Sequence, residues 1–245
     1  MKPNGCYAYR AEIDRASESD ARWRRTLDAL DHSWADDEEM RRFFGPVLQL
    51  SAASEDLGGQ TAERLLCGDL PRVLRARVVR AVWDEIRHSD VFDRLTEGTE
   101  FAGERESSVL PDVVDAAEST LEVAIVHTEL EALALNMFTL IARSTAARSL
   151  GSVYGAISKD EAAHVRLGGE IISYLAGVNA SRADVSRHLH LFDLAARTAP
   201  VNDGVGFRTF CELLGLPELE TADDLRRKQR LRRERIASML RRGGE

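Results

Sequence analysis

The chain has 245 residues and a mass of 27.2 kDa, 44 % apolar and 30 % charged, with a mean hydropathy of −0.28. That composition excludes a fibre and a disordered tail protein, and suits one sizeable soluble domain or two small ones. The net charge is −8, yet residues 226–245 carry nine Lys or Arg against two Glu, so a tail of +7 sits on a remainder of −15. The acidic remainder argues against nucleic acid as the main ligand. The tail reads as a solvated amphipathic helix; phosphates, an acidic partner surface and the acidic body itself are the alternatives for what it touches. The richest apolar run, Leu133–Ala142, is ten residues long and broken by Asn136 and Thr139. It is too short to cross a bilayer, so no membrane is expected. Cys6, Cys67 and Cys211 are odd in number and far apart, which gives neither a disulfide framework nor a metal knuckle. No apolar run follows Met1-Lys2-Pro3-Asn4-Gly5. The expectation is a reduced, cytoplasmic, globular protein.

Residues 1–45 read as an N-terminal helical extension, with Trp23, Leu27, Leu30 and Trp34 on its packing side. Long helices are predicted over 46–66, 71–96, 111–143 and 146–176. Pro46, Pro71 and Pro111 sit where the first three would open, and proline at a first helical position leaves no extra donor unsatisfied. Gly98–Val109 is polar and long enough to run from one end of a bundle to the other, while the other connections are short and make antiparallel neighbours. Residues 177–245 read as a helical C-terminal extension that carries the basic tail. The predicted fold is all-α, a four-helix bundle over 46–176 with helices added at both ends.

Two of these helices declare their faces. On the third, Glu122, Glu129, Asn136 and Arg143 recur every seven residues as a polar stripe, opposite Ala124, His127, Glu131, Ala134, Leu135, Phe138 and Ala142. On the first, Gln49, Asp56, Gln60, Glu63 and Arg64 form the wet side, opposite Leu48, Ser51, Glu55, Ala62 and Leu66. Glu55 and Glu131 thus point into apolar faces, where a carboxylate is costly unless something compensates its charge.

Two segments match each other: Asp84-Glu85-Ile86-Arg87-His88 and Asp160-Glu161-Ala162-Ala163-His164. Glu and His three apart on a helix project from one face, so both can bind one metal centre. Each paired glutamate follows an inward glutamate by 30 residues, Glu85 after Glu55 and Glu161 after Glu131, and the two half-sites are offset by 76. In antiparallel hairpins that spacing brings the members to similar heights. One Glu-x-x-His is weak evidence; the repeated, equally spaced pair is strong. Four carboxylates balance two divalent ions, and the carboxylate–imidazole mixture suits iron or manganese better than zinc or calcium.

This set resembles the ferritin-like di-iron carboxylate superfamily over about residues 46–176. The resemblance implies that Glu85 and Glu161 bridge two metals, that Glu55 and His88 complete one, and that Glu131 and His164 complete the other. It also matches Asp84 and Asp160 to the family's supporting aspartates, which accept the spare N–H of the histidine in the opposite half: Asp84 with His164, Asp160 with His88. Glu129 is the alternative third-helix ligand, although it lies on the polar stripe. His127, one turn before Glu131, is read as a hydrogen-bonded core histidine, with a seventh ligand as the alternative. Some N-oxygenases of the superfamily place an extra histidine one turn before the fourth-helix glutamate. This chain has Ile157 there, so that role does not carry over.

For the reaction, the expectation is O2 activation on a small organic substrate by hydroxylation, N-oxygenation or desaturation, with two iron ions (or one manganese and one iron) as cofactor. Gly58 and Gly59, one turn from Glu55, are costly inside a helix and leave side-chain-free backbone for a substrate or for a close helix crossing. Helix phase predicts an apolar pocket lined by Val78, Ala81, Phe92, Ala134, Leu135, Phe138, Ile157, Gly168 and Ile172. Tyr154, two turns before Glu161, is either core or a donor to the site. About 115 residues lie outside the bundle, more than a storage protein needs. No rubredoxin-type Cys-x-x-Cys pair is present, so an external electron donor or reductase is expected. A homodimer is admissible. Metal storage and a tRNA-hydroxylase-like activity are the alternatives.

Overall fold

The computed structural model describes residues 21–28, 30–99, 110–144, 148–178 and 185–242. The regular elements among them are all helical: α1 (Ala21–Asp28), a 3-10 turn (Ser33–Asp36), α2 (Glu38–Leu66), α3 (Arg72–Thr96), α4 (Leu110–Asp115), α5 (Thr120–Arg143), α6 (Arg148–Val178), α7 (Val185–Ala196), a 3-10 turn (Pro200–Asn202), α8 (Gly204–Leu214) and α9 (Glu218–Arg242).

Two predicted boundaries move, each for a local reason. Helix α2 does not open at Pro46. It starts where the Asp37 carboxylate accepts the Met40 amide at 2.9 Å, with Glu38 and Glu39 in the first turn. Pro46 lies inside the helix on its exposed side, where water can reach the Arg42 carbonyl that proline leaves without a donor. The predicted third helix is two helices, because a capping box interrupts it. Ser119 Oγ accepts from the Glu122 amide at 3.2 Å, and Glu122 Oε2 accepts from the Ser119 amide at 3.0 Å. Most of the predicted crossing connection, residues 100–109, lies outside the described residues.

Helix α2 packs on α3 and α5 on α6, and the two pairs face each other, α2 against α5 and α3 against α6. Helices α7 and α9 cover the α5–α6 side. The apolar interior falls into two clusters. One holds Leu65, Val78, Ile125, Ile171 and Phe192; the other holds Phe44, Phe92, Phe138, Tyr154 and Phe210, with Trp23 and Trp34 from the N-terminal segment. On each long helix the change from one cluster to the other happens around an acidic residue: Ala52 to Leu57 around Glu55, Val82 to Val91 around Glu85, Val126 to Phe138 around Glu131, and Ile157 to Leu167 around Glu161.

The first half of the polar stripe of α5 is not a wet face as expected, although Arg143 at its end is exposed. Glu122 and Glu129 are buried, because the C-terminal helices bring arginines down onto them. Arg187 of α7 donates to Glu122 at 2.5 Å, and Arg232 of α9 grips both oxygens of Glu129 at 2.7 and 2.8 Å. Arg233 pairs in the same two-pronged way with Asp193 of α7. Two arginines of the basic tail thus hold it to the acidic body. Helix α5 passes, on length and composition, as apolar enough to cross a membrane, although its ten-residue core run does not; 61 % of its most apolar stretch is buried within the fold. Cys211 is a buried free thiol.

Candidate metal centre

The layer between the two apolar clusters is built by α2, α3, α5 and α6, each contributing a glutamate at mid-length. Glu55, Glu85, Glu131 and Glu161 are at most 4 % exposed, as are His88 and His164. Their side chains form two overlapping groups: Glu55, Glu85, His88 and Glu161, and Glu85, Glu131, Glu161 and His164. Within each group the candidate ligand atoms lie within 4.8 Å of one another, and Glu85 and Glu161 belong to both. In detail, His88 Nδ1 stands 2.9 Å from Glu55 Oε2 and 3.1 Å from Glu161 Oε1. His164 Nδ1 stands 2.8 Å from Glu85 Oε1 and 3.1 Å from Glu131 Oε2.

Behind each imidazole stands an aspartate of the opposite helix pair. His164 Nε2 is 3.5 Å from Asp84, and His88 Nε2 is 3.5 Å from Asp160. Both rings therefore turn Nδ1 toward the glutamates and Nε2 away from them. The two supports differ. Asp84 is gripped by Arg80 and Arg87, and the Arg87 guanidinium lies 5.2 Å over Trp23 and 5.3 Å over Trp83. Trp23 in turn packs on the His88 ring at 5.4 Å. Arg87 carries none of the roles expected from the sequence, although it sits inside the first motif. The signal was the three-residue step from Asp84, since the second motif has Ala163 at the matching place.

Glu129 is not part of this layer; Arg232 occupies both of its oxygens. His127 borders the layer, its Nδ1 3.0 Å from Glu131 Oε1 and 3.0 Å from Thr61 Oγ1. Thr61 donates its hydroxyl to the Gly58 carbonyl, so the shared hydrogen is on His127 Nδ1, which ties it to Glu131. Tyr154 is fully buried in a ring cluster with Phe92 and Phe138, its hydroxyl 3.5 Å from Ser51 Oγ. Burial pushes that phenol up from its ordinary value.

A cavity of about 320 Å³ opens onto the four glutamates from between α2 and α5. Its wall is mostly apolar, with Phe43, Val47, Leu133, Met137 and Phe138 from the long helices, and it is completed by Pro200, Phe207 and Phe210 from the C-terminal segment. Of the lining predicted from helix phase, only Ala134 and Phe138 are there. Val78, Ala81 and Ile172 pack in the first apolar cluster and Phe92 and Ile157 in the second. Gly168 faces Thr128, and Leu135 is not part of the wall. Gly58 does line the cavity; a Cβ there would stand 2.8 Å from Glu85 Oε2.

Searches of protein-family models, of curated proteins and of solved structures return no match to this chain.

The charges decide whether metal fits. Burial, reinforced by Glu131 and Glu161, pushes the Glu85 carboxyl well above its ordinary range, and burial with Glu131 raises Glu161 to about 8. Burial would raise Glu131 too, but His127, Glu161 and His164 hold it well below. For His88 and His164 burial favours the neutral ring, yet the facing carboxylates outweigh it and raise both. Four carboxylates in one dry layer thus require compensating positive charge, and in its absence Glu85 and Glu161 retain protons. Glu85 Oε1 and Glu161 Oε1, on the two shared residues, also lack a well-formed hydrogen bond. Acceptor oxygens left over in a carboxylate–imidazole cage of this kind could hold metal ions.

Proposed function

We propose that this chain is a ferritin-like di-iron protein that activates O2 and oxidises a small organic molecule by hydroxylation, N-oxygenation or desaturation. One observation carries the reading. Two carboxylate–imidazole groups that share Glu85 and Glu161 stand directly at the floor of an apolar cavity. Glu55 and His88 would hold one ion, Glu131 and His164 the other, and Glu85 and Glu161 both. When bound, the metal pair, Fe/Fe or Mn/Fe, supplies the electrons and Lewis acidity for reducing O2.

The chain's own residues supply the rest. The four carboxylates neutralise two divalent ions within a dry layer. Asp84 accepts the outer N–H of His164 and Asp160 stands 3.5 Å from that of His88, an arrangement that would leave both Nδ1 atoms for the ions. The apolar wall keeps water from the reacting bond. Each of the three reactions draws two electrons from the substrate and needs two more from an external donor. Storage of metal has no use for a walled apolar cavity, and the basic tail that would favour RNA has two of its arginines paired with the body.

The test is anaerobic iron(II) titration of the purified protein, followed by exposure to O2 with optical detection. Two irons per chain, lost in Glu85→Ala and His164→Ala, with new visible absorption on adding O2, support the reading. Failure to bind iron, or binding indifferent to those substitutions, refutes it.

A further inference from the structure

Away from its glutamate floor the cavity has few polar groups, and most of their hydrogens are already committed. Ser54 Oγ donates to the Leu50 carbonyl at 2.8 Å, and Thr198 Oγ1 donates to the Ala195 carbonyl at 2.7 Å. The Gly206 amide donates to Asp203 Oδ1 at 3.3 Å. Toward a guest, Ser54 and Thr198 therefore present lone pairs, and the Asp203 carboxylate, on the exposed rim, accepts only. Ser51 is the exception, its hydroxyl shared with Tyr154. Among the described residues no Lys, Arg or His lines this cavity.

A carboxylate or phosphate placed along such a wall meets neither a cation nor an adequate set of donors, and a buried anion without them is strongly disfavoured. A group rich in N–H meets acceptors at each polar position. The rest of the wall, with Phe43, Phe138, Phe207, Phe210 and Met137, receives an aromatic or aliphatic body. We infer that the site takes an apolar amine, an aryl- or alkylamine whose N–H groups are received by acceptors among Asp203, Thr198 and Ser54, and that this part of the wall, apart from the glutamate floor that would hold the metal ions, turns away carboxylates and phosphates. This rests on reading the cavity as the substrate site of the proposed oxygenase.

The experiment is calorimetric titration of iron-loaded protein, kept anaerobic, with three probes that share one tail: phenylbutylamine, phenylbutanol and phenylbutyrate. The amine is expected to bind tightest, and the carboxylate about tenfold or more weakly, equivalent to about 1.4 kcal/mol. Asp203→Asn keeps a good helix cap and should weaken the amine roughly three- to fivefold while leaving the alcohol unchanged. Thr198→Lys, at a half-buried position, should reverse the order of amine and carboxylate. The inference is overturned if phenylbutyrate binds wild-type protein as tightly as the amine, if Asp203→Asn leaves the amine untouched, or if none of the three binds. Repeating the series on iron-free protein separates the two readings. Amine selectivity that depends on Asp203 in a protein unable to bind iron would sink the oxygenase and leave the ligand class standing.

Discussion

Gly58 and Gly59 are neighbours on α2, and alanine at the two positions should do opposite things. At Gly59 an added Cβ meets Glu85 Cβ at 3.5 Å, an ordinary contact. Gly59→Ala should therefore collect the helix-propensity gain of about 1 kcal/mol, raising Tm by about 2–4 °C for a chain of this size. At Gly58 the same Cβ would stand 2.8 Å from Glu85 Oε2, 3.2 Å from its Cδ and 3.4 Å from Glu131 Oε1. The Glu85 carboxylate must then retreat by roughly 0.5 Å to regain normal contact, and it is the end of a side chain, so the move costs stability little. It costs the metal site much more, because Glu85 belongs to both ligand groups. Gly58→Ala should keep a Tm within a few degrees of wild type while losing about 10- to 100-fold in iron affinity, the range typical of disturbed ligand support. Calorimetric unfolding and anaerobic iron titration on both variants measure the two effects separately. Equal iron affinity in Gly58→Ala and Gly59→Ala would show that the backbone's approach to Glu85 plays no part in metal binding.

Other perturbations probe the fold around the site. Burial would raise Glu122, but the Arg187 guanidinium and the Glu118 and Ser119 amides outweigh it and hold the carboxyl at about 2, against an ordinary 4.5. A lowered folded-state pKa stabilises above pH 4.5, and that contribution is lost as pH falls through about 2. The full shift corresponds to roughly 3 kcal/mol, which screening at the 43 %-exposed Arg187 reduces to about 1–2 kcal/mol. Acid unfolding followed by circular dichroism should thus move to higher pH in Arg187→Ala; an unchanged midpoint would refute the linkage. Arg232→Ala leaves Glu129 buried without its cation and should destabilise by about 3–5 kcal/mol in urea, whereas exposed Arg235→Ala should fall within about 0.5 kcal/mol of wild type. Ala134→Trp fills the cavity, so iron stoichiometry should stay at two while probe binding disappears from the calorimetric trace.

The convergence of the glutamates and histidines is legible in the sequence because a repeat at fixed spacing is local information: helix geometry alone converts Glu-x-x-His and a 30-residue interval into facing side chains. The inward phase of α2 was legible for the same reason, and Leu48, Ser51, Glu55, Ala62 and Leu66 are all buried. The faces that failed depend on segments distant in sequence. Glu122 and Glu129 read as solvated until α7 and α9 place arginines on them. The cavity could not be drawn from the phases of the long helices, since residues 198–210 close one side of it. The start of α2 is not legible at Pro46, because proline is tolerated on the exposed side of the helix and the Asp37 carboxylate supplies the cap nine residues earlier.

The division of the interior at the glutamate layer has a consequence for how the molecule opens. Apolar packing propagates cooperativity, and a layer of buried carboxyl and imidazole groups interrupts it. Each end of the helical stack is then a separate unit of local unfolding, and the amides of α3 and α6 should exchange with solvent at two distinct rates on either side of Glu85 and Glu161. Divalent ions at that layer would join all four helices at mid-height, and the two exchange regimes would merge into one.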